Sequence, residues 1–236
     1  MIYLLSLALL FGGCSNAFNP AKPHDEEPSI EKAQIYIQTK DYNSAVKVLE
    51  LFRSEHPLSL KIPFVEKLLI ECYSQTYDYP MLQAATDRFL YEHHEDPDRD
   101  YISFLRFNSI SHQANGYPYA WMPIDRAQRD ISRVKDAFIA GKTFIRDFPK
   151  SAYSPNVAHA LPPLKETIAR HYFLRGEMLS YRNEPIGAIR AYQYILSDLQ
   201  DTSYALQAEK ALEKFSKGYT LRENITFEKK FEKENG

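Results

Sequence analysis

The chain has little of what most often betrays a protein's chemistry. It holds only two cysteines, Cys14 and Cys72, and one tryptophan in 236 residues. Its formal net charge of −2 lacks the basic excess that marks a nucleic-acid surface. No Gly-x-Ser-x-Gly, Gly-x-x-x-x-Gly-Lys, His-Glu-x-x-His or Cys-x-x-Cys occurs, so the common nucleophile, phosphate-loop and zinc signatures are missing. These gaps argue for a protein that is not an enzyme and needs neither cofactor nor metal. Long apolar runs are scarce as well. The single one, Ile2 to Gly13, would be only about 18 Å long as a helix. A membrane core is about 30 Å thick, so this run reads as the apolar region of a signal peptide rather than a span.

The run ends in Phe11-Gly12-Gly13-Cys14, which resembles the lipobox of bacterial lipoproteins. Small residues there let a peptidase approach, and the cysteine thiol accepts the lipid. Residue 11 is Phe where Leu is usual, and no Lys or Arg precedes the run. Cys14 is therefore the expected lipid attachment site. That leaves Cys72 without a disulfide partner, and the exported body must be held by its core alone. Acyl chains anchor a protein at about 0.8 kcal/mol per buried CH₂, so the body itself need not touch lipid. Ser15 follows the cysteine; Asp at that place commonly retains lipoproteins in the inner membrane, so Ser favours the outer one. The expected organisation is a signal peptide over 1–13, lipidated cysteine and flexible tether over 14–28, a folded domain over 29–221 and an exposed tail over 222–236. Three prolines and a charge cluster in "SNAFNPAKPHDEEP" support the tether.

The body is all-α by its periodicity. In "DYNSAVKVLELFRSEHP", Tyr42, Ala45, Val46, Leu49 and Phe52 mark one helical face, which His56-Pro57 ends. Like patterns cover 79–93, 132–149, 184–199 and 203–219. Pro80, Pro155 and Pro185 stand where helices can start. Spaced residues then repeat: Ala33, Tyr36, Tyr42, Ala45, Leu49, Phe52 and Pro57 follow the tetratricopeptide pattern. Further copies run through Ile70, Tyr73, Tyr79, Leu82, Thr86 and Phe89, through Ala137, Phe144 and Pro149, and through Gly176, Leu179, Ala188, Tyr192 and Ile195. The pattern predicts a solenoid of about five helix pairs, interrupted by an extra helix and a loop, "NGYPYAWMPI", within 98–131. Segment 203–219 reads as a cap, and Pro162-Pro163 as a helix break. The cluster His93, His94, Glu95, Asp96, Asp98 and Asp100 begins like a calcium loop but has Tyr101 and Phe107 where Gly and Glu are required. It reads as a solvated connection.

A tetratricopeptide stack exposes a groove lined by the first helix of each pair. The repeat positions put Ile30, Gln34, Ile37 and Gln38 there in the first repeat, and Phe64, Lys67 and Glu71 in the second. Such a surface suits an extended, partly apolar peptide. Arg170, Phe173, Glu177 and Tyr181 take the matching positions of the fourth repeat and mix charge with aromatic area, a composition common at protein interfaces.

Lipobox, short tether and irregular repeats in this order resemble the BamD (YfiO) family, lipoprotein subunits of the outer-membrane β-barrel assembly machine. The phrases carrying the resemblance are "DYNSAVKVLELFRSEHP", "DRFLYEHHEDPDRDY" and "RDISRVKDAFIAGKTFIRDFPKSAY". In the second, Phe89, Pro97, Asp100 and Tyr101 keep the family spacing, while His94 and Asp96 replace Pro and His. In the third, Arg129, Asp130, Ala137, Phe138, Pro149, Ser151 and Tyr153 match, and Ile131 replaces Pro. Asn156, Val157, Ala160 and Leu161 depart from the family more strongly. The resemblance implies a lipid-anchored protein of the outer membrane, facing the periplasm. It implies a BamA-like barrel subunit as partner through its periplasmic (POTRA) domains, with other assembly lipoproteins beside it and unfolded outer-membrane proteins as clients. On this reading Arg170, Phe173, Glu177 and Tyr181 meet the barrel subunit, and the N-terminal groove takes the client. The alternative is another exported repeat adaptor, such as a periplasmic coordinator of envelope constriction.

Overall fold

The computed structural model describes residues 26–115, 126–128 and 130–215. The signal segment, Cys14, the loop at 116–125 and the C-terminal tail lie outside the described residues. The helices run in chain order as α1 (Glu26–Gln38), α2 (Tyr42–Glu55), α3 (Ile62–Gln75), α4 (Tyr79–Glu92), α5 (Arg99–Ala114), α6 (Ser132–Asp147), α7 (Ser154–Tyr181) and α8 (Pro185–Asp198). A 3-10 turn at Arg126–Gln128 precedes α6, and residues 205–215 form a ninth helix. The described residues contain no strand. Each helix packs chiefly on its sequence neighbours, which is the contact pattern of a tetratricopeptide-like repeat. Four pairs and the first helix of a further repeat are described. No described helix is long and apolar enough to cross a membrane.

Two turns recur along the stack, and each has a chemical cause. In three of the pairs, the first helix ends in a left-handed residue: Lys40 (φ 60°), Tyr77 (φ 57°) or Asn183 (φ 60°). The next backbone N–H then closes on the carbonyl five residues back, as in Asp41 to Tyr36 (2.8 Å), Asp78 to Tyr73 (3.1 Å) and Glu184 to Leu179 (2.9 Å). Asp41 and Asp78 at once cap the second helix, their carboxylates accepting from the N–H of Ser44 and Met81 at 3.2 Å.

Between pairs, a second turn is copied four times. His56, His93, Phe148 and Leu199 each close the second helix by donating their N–H to the carbonyl four residues back. Their carbonyls accept from Ser59, Asp96, Ser151 and Thr202, whose carbonyls accept in turn from Ile62, Arg99, Ser154 and Ala205. Tilted ring contacts at i, i+4 reinforce three of these ends: Phe52–His56 at 4.8 Å, Phe89–His93 at 4.6 Å and Phe144–Phe148 at 5.5 Å.

The core lies in two clusters that meet on α5. Ile102 and Leu105 belong to the N-terminal cluster with Leu49, Phe52 and Phe89. Phe107 and Ile110 belong to the C-terminal one with Val157, Tyr192 and Ile195. Gly176 lets α7 and α8 approach closely, since a Cβ there would lie 2.5 Å from the Tyr192 ring.

Two expectations need correction. α1 starts at Glu26, inside the segment read as tether; Pro28 falls in the first turn, where a missing N–H costs no helical bond. Pro162-Pro163 does not break a helix, because α7 runs through both. Both prolines are exposed, as are Ala158 and His159, whose carbonyls lose their donors and stay open to water. Thr167 donates its hydroxyl to the Pro163 carbonyl at 2.9 Å.

Candidate protein-binding surface

On α3, Phe64, Lys67 and Glu71 are spaced i, i+3, i+7 and lie towards solvent, with Phe64 45 % exposed. Lys67 is not a free cation. Its ammonium reaches Asp96 at 2.8 Å and Asp98 at 2.6 Å, tying α3 to the turn before α5. Burial alone would lower the Lys67 pKa, but the two carboxylates outweigh it and the group is held above its usual value. Tyr101 of α5 holds the place in the third repeat that Phe64 holds in the second, and it too is exposed. Its hydroxyl is raised by burial and then by neighbouring Tyr153 and Glu71. Tyr101, Tyr153 and Phe104 form an aromatic ladder with centroids 5.4 and 4.6 Å apart. The repeat pattern did not single out this ladder, although Tyr101 and Tyr153 occur in phrases that carry the family resemblance.

The first repeat corrects the groove assignment. Ile30 is buried, and Ile37 is packed against the N-terminal core. Ile30, Ala33 and Ile37 stand at i, i+3, i+7, which is α1's inward stripe. Gln34 is half-buried and Gln38 exposed. The apolar residue that α1 exposes is Ile35.

On α7, Arg170 and Glu177 are exposed and Tyr181 is 93 % exposed. Phe173 is different: its ring packs 5.8 Å from Tyr192 and 5.5 Å from Tyr204 in the C-terminal cluster. Phe173 and Glu177 line a hollow of ≈ 420 Å³ between α7, α8 and helix 205–215, which Lys210 and Lys214 also line.

The acidic-histidine cluster is only partly solvated. His93 and Arg88 converge on the buried carboxylate of Glu66, each at 2.8 Å. Asp100 accepts from the Ser151 hydroxyl at 2.7 Å. Glu66, Glu92 and His93 stand close enough to share an ion. The oxygens of Glu66, however, are already taken by Arg88 and His93. Cys72, the other reactive type, is buried, and burial pushes its thiol up to about 12. What these side chains offer is aromatic and charged contact area on a stack of helices.

The sequence profile of the YfiO family, described as outer membrane lipoprotein, matches residues 24–233. The chain belongs to this family. Relatives named outer membrane protein assembly factor BamD align along most of the described body. The protein of Vibrio cholerae is 28 % identical over 204 residues, covering 86 % of this chain and 83 % of its own. That of Pasteurella multocida is 25 % identical over 206 residues, 87 % of this chain and 79 % of its own. That of Haemophilus influenzae is 24 % identical, with 80 % and 75 % covered.

Proposed function

We propose that this chain is a non-catalytic scaffold for the assembly of outer-membrane β-barrel proteins, anchored to the outer membrane by lipid on Cys14 and facing the periplasm. The observation that carries the reading is the family match across the whole repeat body, together with relatives named as assembly factors. The helical stack supports it by offering two separate surfaces on two separate cores. The C-terminal surface, with Arg170, Glu177 and Tyr181, holds the barrel subunit through a POTRA domain. Arg and Tyr are the residue types that most often dominate such interfaces. The N-terminal surface, with Phe64, Glu71 and Tyr101, receives the extended segment of an unfolded client. Lys67 orders that surface through its two aspartates.

The test is a pair of binding measurements on one variant. Arg170→Ala with Tyr181→Ala should weaken binding of the solubilised barrel subunit at least about tenfold. Affinity for a peptide from the terminal strand of an outer-membrane protein should stay within about twofold. Loss of peptide binding with the complex intact would reverse the assignment of the two halves. Mass spectrometry of the mature N-terminus checks the anchor, with a lipidated Cys14 as the expected species.

A further inference from the structure

We infer that the turn at residues 57–61 is a membrane-contacting element: Leu58 and Leu60 enter the lipid surface beside the anchor and set how the repeat stack stands on it. The inference rests on the lipid-anchor reading above.

The four copies of the inter-pair turn supply an internal comparison. Two places after the helix-closing residue, the copies carry Leu58, Glu95, Lys150 and Asp201. Four places after it they carry Leu60, Pro97, Ala152 and Ser203. All eight side chains are exposed, so the turn geometry itself directs these two positions outward. Three copies fill them with charged, small or proline residues, as a solvated turn should. The first copy alone fills both with leucine, 88 % and 99 % exposed. Neither leucine serves the core.

Nor can they fold back easily, because Ser59 between them is fixed on every side. Its hydroxyl donates to Glu26 at 3.0 Å and accepts from the N–H of Lys61 at 3.1 Å. Its N–H donates to the His56 carbonyl, and its own carbonyl accepts from Ile62, both at 3.1 Å. The Lys61 ammonium pairs with Glu27. The turn is thus bolted to the first turn of α1, where the tether enters the body.

That location names the partner. From Cys14 to Glu26 the chain can span at most about 40 Å, and the turn bonded to Glu26 and Glu27 is held within that distance of the lipid headgroups. Two leucines alone bind a bilayer weakly. An anchored body meets the surface at high effective concentration, and a weak contact then becomes populated.

The full-length chain is tested on vesicles of phosphatidylethanolamine and phosphatidylglycerol, with an environment-sensitive dye on Leu60→Cys. Cys72 is buried and stays unlabelled. One arm uses the protein purified from envelopes. A second arm replaces the anchor by an N-terminal histidine tag held on nickel-chelating lipid, so the contact is judged independently of Cys14. In both arms the dye at 60 should shift to the blue and be quenched by nitroxide on the acyl chains. The same dye on Glu95→Cys, the matching place in the next turn, should stay aqueous. Leu58→Ser should reduce quenching at 60 at least twofold. A dye at 60 that remains aqueous in the chelate-anchored arm overturns the proposal. Shielding that appears only after the barrel subunit is added would also overturn it, assigning the leucines to a protein contact. An unmodified Cys14 with quenching intact in the chelate arm would refute the anchor reading and uphold the contact.

Discussion

Glu66 is a charged residue in a place where charge is expensive. Its side chain is 2 % exposed, and its two oxygens are used by Arg88 on the same repeat's second helix and by His93 at that helix's end. The carboxylate therefore acts as a rivet between α3 and α4. Glu66→Gln keeps the shape but turns one acceptor into a donor facing a donor. It should cost about 1–3 kcal/mol in urea denaturation, the usual range for a buried group left unsatisfied. Arg88→Ala should cost at least as much, since it leaves the buried carboxylate with His93 alone even though Arg88 itself is one third exposed. A Glu66→Gln protein as stable as the parent would mean that the pair is tolerated rather than used. Nothing local in "IPFVEKLLIECYSQ" announces this burial, because the partners arrive from 22 and 27 residues downstream. For the same reason the sequence shows His93 only as part of a charged, polar run.

At the scale of the element, helix positions were the most legible feature of the sequence. Asp41 and Asp78 mark caps, and Pro80, Pro155 and Pro185 each fall in a first turn of α4, α7 or α8. What the sequence conceals is which side of a helix meets its neighbour when apolar residues occupy more than one side. On α1, Ile30, Ile35 and Ile37 are alike in chemistry, and only packing separates the exposed Ile35 from the other two. Phe173 was misplaced for the same reason: Tyr192 and Tyr204 come from α8 and beyond to cover it. Left-handed turns at Lys40 and Tyr77 are likewise silent, since neither residue is the glycine that usually marks them. The proline pair in α7 was visible, but its effect was not. A proline inside a helix costs about 3 kcal/mol, so α7 is expected to be weakest there. Replacing both Pro162 and Pro163 by Ala should slow amide exchange over residues 156–167 at least about tenfold. Unchanged exchange would show that neighbouring helices, not the missing bonds, set the local stability.

For the whole molecule, the division of the core on α5 matters more than the count of helices. Contacts run between sequence neighbours, so stability is close to a sum of local terms. Ile195→Ala removes a fully buried side chain from the C-terminal cluster and should cost about 2–5 kcal/mol there. Amide exchange should accelerate over residues 132–198. Cys72 reports on the other cluster, because its buried, protonated thiol reacts with maleimide only when that cluster opens. Its labelling rate should change little; equal acceleration in both halves would mean one cooperative core. The four matching inter-pair turns carry a further consequence, one for descent rather than for folding. Because Ser59, Asp96, Ser151 and Thr202 present the same backbone bonds to what precedes and follows them, each is a seam at which gene duplication or recombination can join repeats with the main-chain geometry kept, leaving only side-chain contacts to be remade. The long α7 and the insertion before α6 then look like edits made between seams, lengthening single cassettes while the joints kept their form.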